Sequence, residues 1–276
     1  MKSFSGKVAA ITGAGSGMGR ALAISLASQG CHLALSDINE DNLEATASGI
    51  NQSAVKVTTH LVDVSKQKEM EKFAEDTVAS HGKVNMIFNN AGVSVTATAE
   101  HTSYENIEWL MGINFWGVVY GTKSFLPYLH NVDEAQIINT SSIFGIIALP
   151  SQSAYNASKF AVRGYTYALR QELADTHIGV TCVQPGGVKT NIAKNSLYVP
   201  KDNNADTKEE MAVKFESFAG LTSEQAAEQI LRGVKKNKAR ILVGKDARII
   251  ALIERIAPIG YQWLLSRVFN EDELGQ

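Results

Sequence analysis

Cysteine is scarce in this chain of 276 residues, which contains only Cys31 and Cys182. Neither belongs to a Cys-x-x-Cys pair or a cysteine–histidine pattern, so the sequence predicts no disulfide framework and no metal site. No run of eighteen apolar residues occurs, so we expect no membrane-spanning helix. The N-terminus leads straight into an apolar segment, so we also expect no signal peptide. These absences favour a reducing compartment, and we expect the cytoplasm.

An excess of positive charge is also missing. The chain has 26 Lys and Arg against 28 Asp and Glu, a net charge of −2. This balance gives no electrostatic reason to expect a nucleic-acid partner. The one basic run, at residues 235–240, falls at a predicted helix end, where cations interact favourably with the helix dipole. With 45% hydrophobic residues, the chain can bury one substantial core.

Apolar, β-branched runs alternate with helical patterns along the chain. This alternation predicts an α/β fold, with a parallel sheet covered by helices on both faces. Seven strands are predicted, at Val8–Thr12, His32–Asp37, 55–62, Met86–Asn89, 136–140, 180–184 and Arg240–Val243. Helices are predicted at 18–29, 40–51, 66–81, 103–129, 154–175 and 222–236. Thr102 with Glu105, and Thr222 with Gln225, have the spacing of capping boxes at two helix starts.

A glycine-rich loop follows the first predicted strand and opens into the first predicted helix. Gly13, Gly17 and Gly19 give the spacing Gly-x-x-x-Gly-x-Gly. Glycines let the backbone approach a pyrophosphate, and a helix N-terminus offers unpaired N–H groups. The placement favours a phosphate cradle over an ordinary glycine-rich turn. Its predicted cofactor-binding residues are Gly13, Ser16, Gly17, Met18 and Gly19.

Tyr155 and Lys159 are four residues apart in a predicted helix and therefore lie on one face. An ammonium group beside a phenol is expected to lower the phenol pKa from about 10 towards neutrality. A phenol tuned in this way can exchange a proton with an alcohol or a ketone. Ser142, thirteen residues before Tyr155, would hold the substrate oxygen, and Ser141 is its near alternative.

Taken together, these residues resemble the short-chain dehydrogenase/reductase family. Further matches are Asn89-Asn90-Ala91-Gly92, Asn114 and Pro185-Gly186, in the family's order over about residues 5–245. The resemblance implies a Rossmann-type doubly wound sheet of seven parallel strands, in one dinucleotide-binding domain at 1–245. It also implies a homodimer or homotetramer. The implied catalytic residues are Asn114, Ser142, Tyr155 and Lys159, with a water on the Asn114 carbonyl linking Lys159 to solvent.

Asp37 ends the second predicted strand, eighteen residues after Gly19. A carboxylate there accepts hydrogen bonds from ribose hydroxyls and repels a 2′-phosphate, so we expect NAD rather than NADP. The alternative is an acidic residue at a helix N-terminus. Arg20 is expected to point along its helix. The resemblance implies a cofactor role, alongside Asp37, Tyr155 and Lys159, for Ile38, Asp63, Val64, Asn90, Ala91, Gly92, Pro185, Gly186, Val188 and Thr190; Asp63 is alternatively a helix cap.

The candidate substrate pocket is mostly apolar. Its predicted residues are Val93, Ser94, Ile143, Phe144, Leu149, Gly187, Ile192, Leu197 and Tyr198. No arginine pair offers a carboxylate clamp, so we expect a neutral, hydrophobic alcohol or ketone as substrate. A substrate loop is predicted at 190–218, and its irregular polar part, 195–210, is either a lid or a surface insertion.

Residues 246–276 form a predicted helical C-terminal extension. Apolar residues recur there at helical spacing around a break at 258–260, which predicts two short amphipathic helices. We expect them to shape substrate access or a subunit contact rather than the dinucleotide site, with peripheral membrane contact as the alternative. Two alternative functions remain: an NADPH-linked carbonyl or 3-oxoacyl reductase, and a non-catalytic dinucleotide sensor.

Overall fold

The computed structural model describes residues 1–51, 53–200, 207–210, 213 and 219–263. A seven-stranded sheet forms its centre. Its strands are β1 (Val8–Thr12), β2 (His32–Asp37), β3 (Val57–Leu61), β4 (Met86–Asn89), β6 (Ala135–Thr140), β7 (Ile178–Pro185) and β9 (Arg240–Val243). They lie in the order β3-β2-β1-β4-β6-β7-β9, and every neighbouring pair is parallel. The predicted doubly wound parallel sheet is confirmed. Two further short strands, β5 (Val95–Thr96) and β8 (Leu197–Tyr198), pair with each other and were not predicted.

Helices cover both faces of the sheet. They are α1 (Gly17–Ala27), α2 (Glu40–Ser48), α3 (Gln67–His81), α4 (Tyr104–Met111), α5 (Gly117–Leu129), α6 (Ser153–Glu172), α7 (Ser223–Lys235) and α8 (Lys245–Ile256). The predicted helix 103–129 is interrupted by a π-helical turn at Gly112–Trp116. The capping box at Thr222 is confirmed. The one at Thr102 is wrong, because the Thr102 hydroxyl donates to the Thr98 carbonyl and Ser103 caps α4 instead.

The core lies in two layers, one on each side of the sheet. On one side, Leu22 of α1 and Ile230 of α7 pack against the inner strands. On the other side, Phe73 of α3 and Phe125 of α5 contact each other edge-on in a second apolar cluster, with 5.3 Å between the ring centres. Because all seven strands are parallel, their carboxyl ends meet at one edge of the sheet. The residues predicted to bind cofactor and substrate follow these strand ends.

Helix α8 is tied to this edge. The Asp246 carboxylate accepts a hydrogen bond from the Gly187 N–H at 2.6 Å and lies against Gly186, leaving no room there for a Cβ. The inner face of α8 places Ala251 against Ile146 and Ile147. The predicted extension therefore contacts Gly186, one of the residues predicted to bind the cofactor.

The first of the two predicted tail helices is confirmed as α8, which begins at Lys245. Residues 258–260 form a turn, and 261–263 are again helical. Residues 264–276, and 201–206, 211–212 and 214–218 of the predicted substrate loop, lie outside the described residues. No helix in the described part of the chain is both long enough and apolar enough to cross a membrane.

We predict that Asp246→Ala lowers the free energy of unfolding by about 1.5–3 kcal/mol, because a hydrogen bond to a charged group is lost and the Gly187 N–H is left unpaired. Asp41→Ala is the matched control. Both residues are second in their helix, but Asp41 is exposed. Its loss should cost only the helix-dipole contribution, about 0.3–1 kcal/mol. Urea denaturation measures both values, and equal losses would contradict the assigned contact.

Candidate active site

The loop between β1 and α1 is packed so closely that only glycine fits at three positions. A Cβ on Gly13 would lie 2.8 Å from the Ala91 Cα, and one on Gly19 would overlap the Gly13 carbonyl. Gly17 has a φ of +50° and faces Thr190. Ser16 is the N-cap of α1, and its side chain makes no capping hydrogen bond. The first turn of α1 therefore keeps the donors that a pyrophosphate would accept, which fits the predicted cradle.

Thr12 joins this loop to the end of β4. Its hydroxyl accepts hydrogen bonds from the backbone N–H groups of Asn90 and Ala91, both at 3.0 Å. The Asn90 amide donates in return to the Thr12 carbonyl at 3.1 Å. Sequence reasoning did not select Thr12, although a threonine at the end of a strand, directly before the first glycine, was the available signal. The 90–92 segment is thus held directly beside the glycine loop.

Asp37 also contacts the glycine loop. Its carboxylate accepts hydrogen bonds from the Gly15 N–H at 2.8 Å and from the Asn39 N–H at 3.0 Å. The Arg20 side chain donates to the carbonyls of Gly15 and Asn42. The expectation that Arg20 points along its helix is therefore wrong, because its guanidinium turns to the carbonyl oxygens of the loop and of α2. A carboxylate and a guanidinium border Gly15 together.

The neighbouring predicted residues occupy three different environments. Ile38 is largely exposed. Asp63 accepts hydrogen bonds from the backbone N–H and the hydroxyl of Ser65, at 3.0 and 2.6 Å, in a turn that precedes α3. The helix-cap alternative for Asp63 is wrong, because the N-cap of α3 is Lys66. Val64 is buried and packs on Gly117. A Cβ atom added to Gly117 would lie only 2.9 Å from the Val64 Cγ2 atom. This contact joins the end of β3 to the start of α5.

Asn114 lies in the π-helical turn and is completely buried. Its side-chain oxygen accepts from the Val93 N–H at 2.9 Å, and its amide donates to the Val93 carbonyl at 3.0 Å and to the Ser158 hydroxyl at 3.1 Å. The side chain therefore joins the segment after β4 to helix α6. π-Helical turns often occur at functional sites.

Ser142 follows the carboxyl end of β6 and meets Tyr155 in the first turn of α6. Ser142 caps a short 3₁₀ turn, accepting from the Phe144 N–H at 3.1 Å, and its side chain hydrogen-bonds that of Tyr155. Burial raises the pKa of Tyr155 to about 12, and the hydrogen bond with Ser142 offsets only part of this effect. Ser141 instead donates its hydroxyl proton to the Lys159 carbonyl at 2.7 Å.

Lys159 is buried beside Tyr155. Its ammonium donates to the Thr140 carbonyl at 3.2 Å and lies 5.6 Å from the centre of the Tyr155 ring. Burial lowers the pKa of Lys159 to about 8, and the electrostatic interaction with Cys182 offsets a smaller part of this shift. Within this chain, the predicted lowering of the Tyr155 pKa is therefore wrong. The cost of burying a phenolate outweighs the attraction of an ammonium at this distance.

An apolar cluster surrounds Tyr155. Phe144 contacts its ring edge-on, with 5.8 Å between the ring centres. The other predicted pocket residues in this cluster are Val93, Ile192 and Leu197. The pairing of β5 with β8 brings Leu197 there, and the Leu197 N–H donates to the Ser94 carbonyl at 3.0 Å. Residues 197–198 are therefore strand rather than irregular chain.

The remaining predicted residues lie around this cluster. Leu149 packs with α8 instead, and Gly187 is held by Asp246. Val188 is buried and forms a bridge with Leu221. Thr190 lies against Gly17, so the turn after β7 contacts the glycine loop. Asp246 is the residue near this turn that sequence reasoning missed, and no local pattern pointed to its contact.

Comparisons with known sequences agree with this geometry. Residues 7–198 match the family described as short chain dehydrogenase. The oxidoreductase SadH of Mycobacterium tuberculosis is 42% identical over 269 residues, which cover 96% of both chains. Estradiol 17-beta-dehydrogenase 11 of Mus musculus is 30% identical over 272 residues, or 98% of this chain and 86% of that relative.

Solved structures show the same architecture. A short chain dehydrogenase/reductase from Burkholderia phymatum in complex with NAD is similar with a TM-score of 0.82 and 30% identity, covering 92% of this chain and 95% of that one. The 3-ketoacyl-(acyl-carrier-protein) reductase of Brucella melitensis complexed with NADH gives a TM-score of 0.76 and 26% identity, covering 87% of this chain and 98% of that one. This chain therefore belongs to the short-chain dehydrogenase family of oxidoreductases.

Proposed function

We propose that this protein is an NAD-dependent dehydrogenase that interconverts a hydrophobic alcohol with its ketone or aldehyde. One observation carries the proposal. Tyr155 is buried in an apolar cluster, hydrogen-bonded to Ser142 and one helical turn from the Lys159 ammonium. This group stands at the sheet edge where the glycine loop opens.

Each of the three residues has a distinct task in this proposal. The Ser142 hydroxyl holds the substrate oxygen, and the Tyr155 hydroxyl exchanges a proton with it. Because the pKa of Tyr155 is about 12 in the chain alone, the phenol carries its proton at pH 7 and is ready to protonate a ketone oxygen. Alcohol oxidation requires the phenolate, which the positive charge of Lys159 favours. When bound, the nicotinamide supplies the carbon that gives or receives the hydride.

A nicotinamide dinucleotide is the cofactor that the glycine cradle fits, and two similar structures are described with NAD or NADH. We infer a preference for NAD from Asp37. Its carboxylate, beside the loop at Gly15, would repel the 2′-phosphate of NADP. Arg20 is the observation that favours the alternative, an NADPH-linked carbonyl or 3-oxoacyl reductase, because its guanidinium borders the same residue.

The substrate class follows from the surroundings of Tyr155. Phe144, Ile192 and Leu197 present apolar surface to it. Such a surface favours a neutral, hydrophobic substrate over a charged one. The relative from Mus musculus bears the name of a steroid dehydrogenase, which is in keeping with this choice.

We further propose that the protein is a homodimer or homotetramer. Trp109, Trp116 and Phe160 are 42%, 47% and 40% exposed on neighbouring parts of α4, the π turn and α6. Large aromatic side chains exposed on elements that pack against one another favour a subunit contact.

We expect Tyr155→Phe to reduce turnover by at least 10²–10⁴-fold, because the ring stays and only the proton-transfer group is lost. NADH binding, followed by fluorescence, should persist. Tyr167→Phe is the control, a half-buried tyrosine three turns further along the same helix. If Tyr155→Phe turned over alcohols like the native protein, the proposed mechanism would fail.

We expect Lys159→Met to abolish turnover but to raise the free energy of unfolding at pH 7, on the order of 3 kcal/mol. The pKa of Lys159 is about 8 in the folded chain and about 10.5 ordinarily, and each unit corresponds to about 1.4 kcal/mol. Below pH 8 the lysine is charged in both the folded and the unfolded chain, so folding carries the full free-energy penalty of burying the charge. The penalty fades between pH 8 and 10.5, so the advantage of methionine should fade too. Urea titrations at pH 7 and 10 would measure this, and a destabilised variant at pH 7 would contradict it.

We expect the native protein to bind NADH more tightly than NADPH. Asp37→Ala should narrow the gap between the two dissociation constants about tenfold, because it removes the charge that repels the 2′-phosphate. Glu40→Ala, an exposed acid in the first turn of the following helix, should leave the gap unchanged. Dissociation constants from fluorescence titration test both variants. Tighter binding of NADPH by the native protein would favour the reductase alternative, and Arg20→Ala would then identify the phosphate partner.

A further inference from the structure

Helix α8 carries an apolar stripe on its outer face. Ile249, Leu252 and Ile256 are 58%, 58% and 75% exposed, and Ile259 beyond the helix is 75% exposed. The first three are spaced by three and four residues, so they lie on one side of the helix. Side chains of this size and exposure, gathered on one element, mark an interaction surface.

The orientation of α8 is set by contacts on its other side. Ala247 and Ala251 are buried, and Ala251 packs on Ile146 and Ile147. Asp246 accepts from the Gly187 N–H at one end, and beyond the helix the Tyr261 hydroxyl accepts from the Ala148 N–H at 2.9 Å. The stripe therefore cannot turn inwards without breaking these contacts.

Basic side chains border the stripe. Lys245, Arg248 and Arg255 are exposed. At 100° per residue, Lys245 lies in line with the stripe, and both arginines lie along one side of it. Glu254 projects from the opposite side of the helix and is half-buried. The outer face of α8 is thus apolar at its centre and positive at its border.

We propose that this face of α8 docks on an anionic lipid surface. An amphipathic helix lies in a membrane interface when its apolar side enters the acyl boundary and its cations meet acidic headgroups. A second copy of this chain fits less well. A symmetric antiparallel pairing of two such helices would bring Arg248 of one copy near Arg255 of the other, where like charges repel.

The docking would place the Tyr155 pocket near the lipid. Phe144 belongs to both the apolar cluster around Tyr155 and the cluster beneath α8. A hydrophobic substrate dissolved in the bilayer would then have a short path to the pocket. Only this last step rests on the proposed function, because the docking itself requires no activity.

Sedimentation of the full chain with vesicles, without cofactor or substrate, tests the docking. We expect binding to vesicles of phosphatidylglycerol and phosphatidylcholine, and much weaker binding to phosphatidylcholine alone or in high salt. The double variant Ile249→Ser with Ile256→Ser should lose binding. Arg248→Gln with Arg255→Gln should weaken it about 25-fold, at roughly fivefold for each basic residue. The controls are Tyr104→Ser and Lys68→Gln, which change exposed residues on other helices.

Four results would overturn the docking. One is no sedimentation of the native chain with anionic vesicles. Another is equal binding by both double variants and the controls, with circular dichroism showing all of them folded. The third is a native oligomer, seen by light scattering, that the isoleucine variant dissociates, which would assign the stripe to a second copy. Vesicle binding by a chain that ends at Trp263, but not by the full chain, would likewise overturn it, because residues 264–276 would then be the occupant.

Discussion

The site depends on the direct contact between the β1–α1 backbone and the end of β4. Gly13 leaves no space for a Cβ against Ala91, and the Thr12 hydroxyl accepts from two N–H groups of the 90–92 segment. Two chain segments more than seventy residues apart are thereby held at one distance. Everything that follows β4, including the loop that Asn114 holds through Val93, is positioned relative to the glycine loop by this contact.

Burial of Tyr155 and Lys159 shapes the chemistry of the site. Desolvation disfavours the charged form of each group, so the pKa of Tyr155 rises and that of Lys159 falls. The folded chain is therefore less stable whenever Tyr155 is a phenolate or Lys159 is an ammonium. A site that retains a buried ammonium next to a phenol therefore stores free energy that an ordinary core would not contain. Such an arrangement is typical of residues kept for reaction rather than for packing.

The C-terminal helix joins three parts of the molecule. Asp246 holds the turn after β7, and Ala251 packs on the segment that follows Ser142. The opposite face of the same helix exposes its stripe to the surroundings. A movement of α8 would therefore reach both the predicted nicotinamide side and the predicted substrate side of the site.

Local patterns in the sequence were sufficient for much of this description. Strand and helix periodicity predicted the seven parallel strands, and the glycine spacing and the Ser142–Tyr155–Lys159 spacing identified the residues that meet at the sheet edge. These features depend on neighbours within one strand, one turn or one helix, which a sequence displays directly.

Tertiary structure decided the rest, because contacts between distant segments leave no local pattern. The pairing of Val95–Thr96 with Leu197–Tyr198, the bond from Gly187 to Asp246 and the turn of Arg20 towards the Gly15 carbonyl all depend on packing. The pKa of Tyr155 is the sharpest case. Its four-residue spacing to Lys159 predicted a lowered value, but the depth of burial, which only the folded chain defines, raises it.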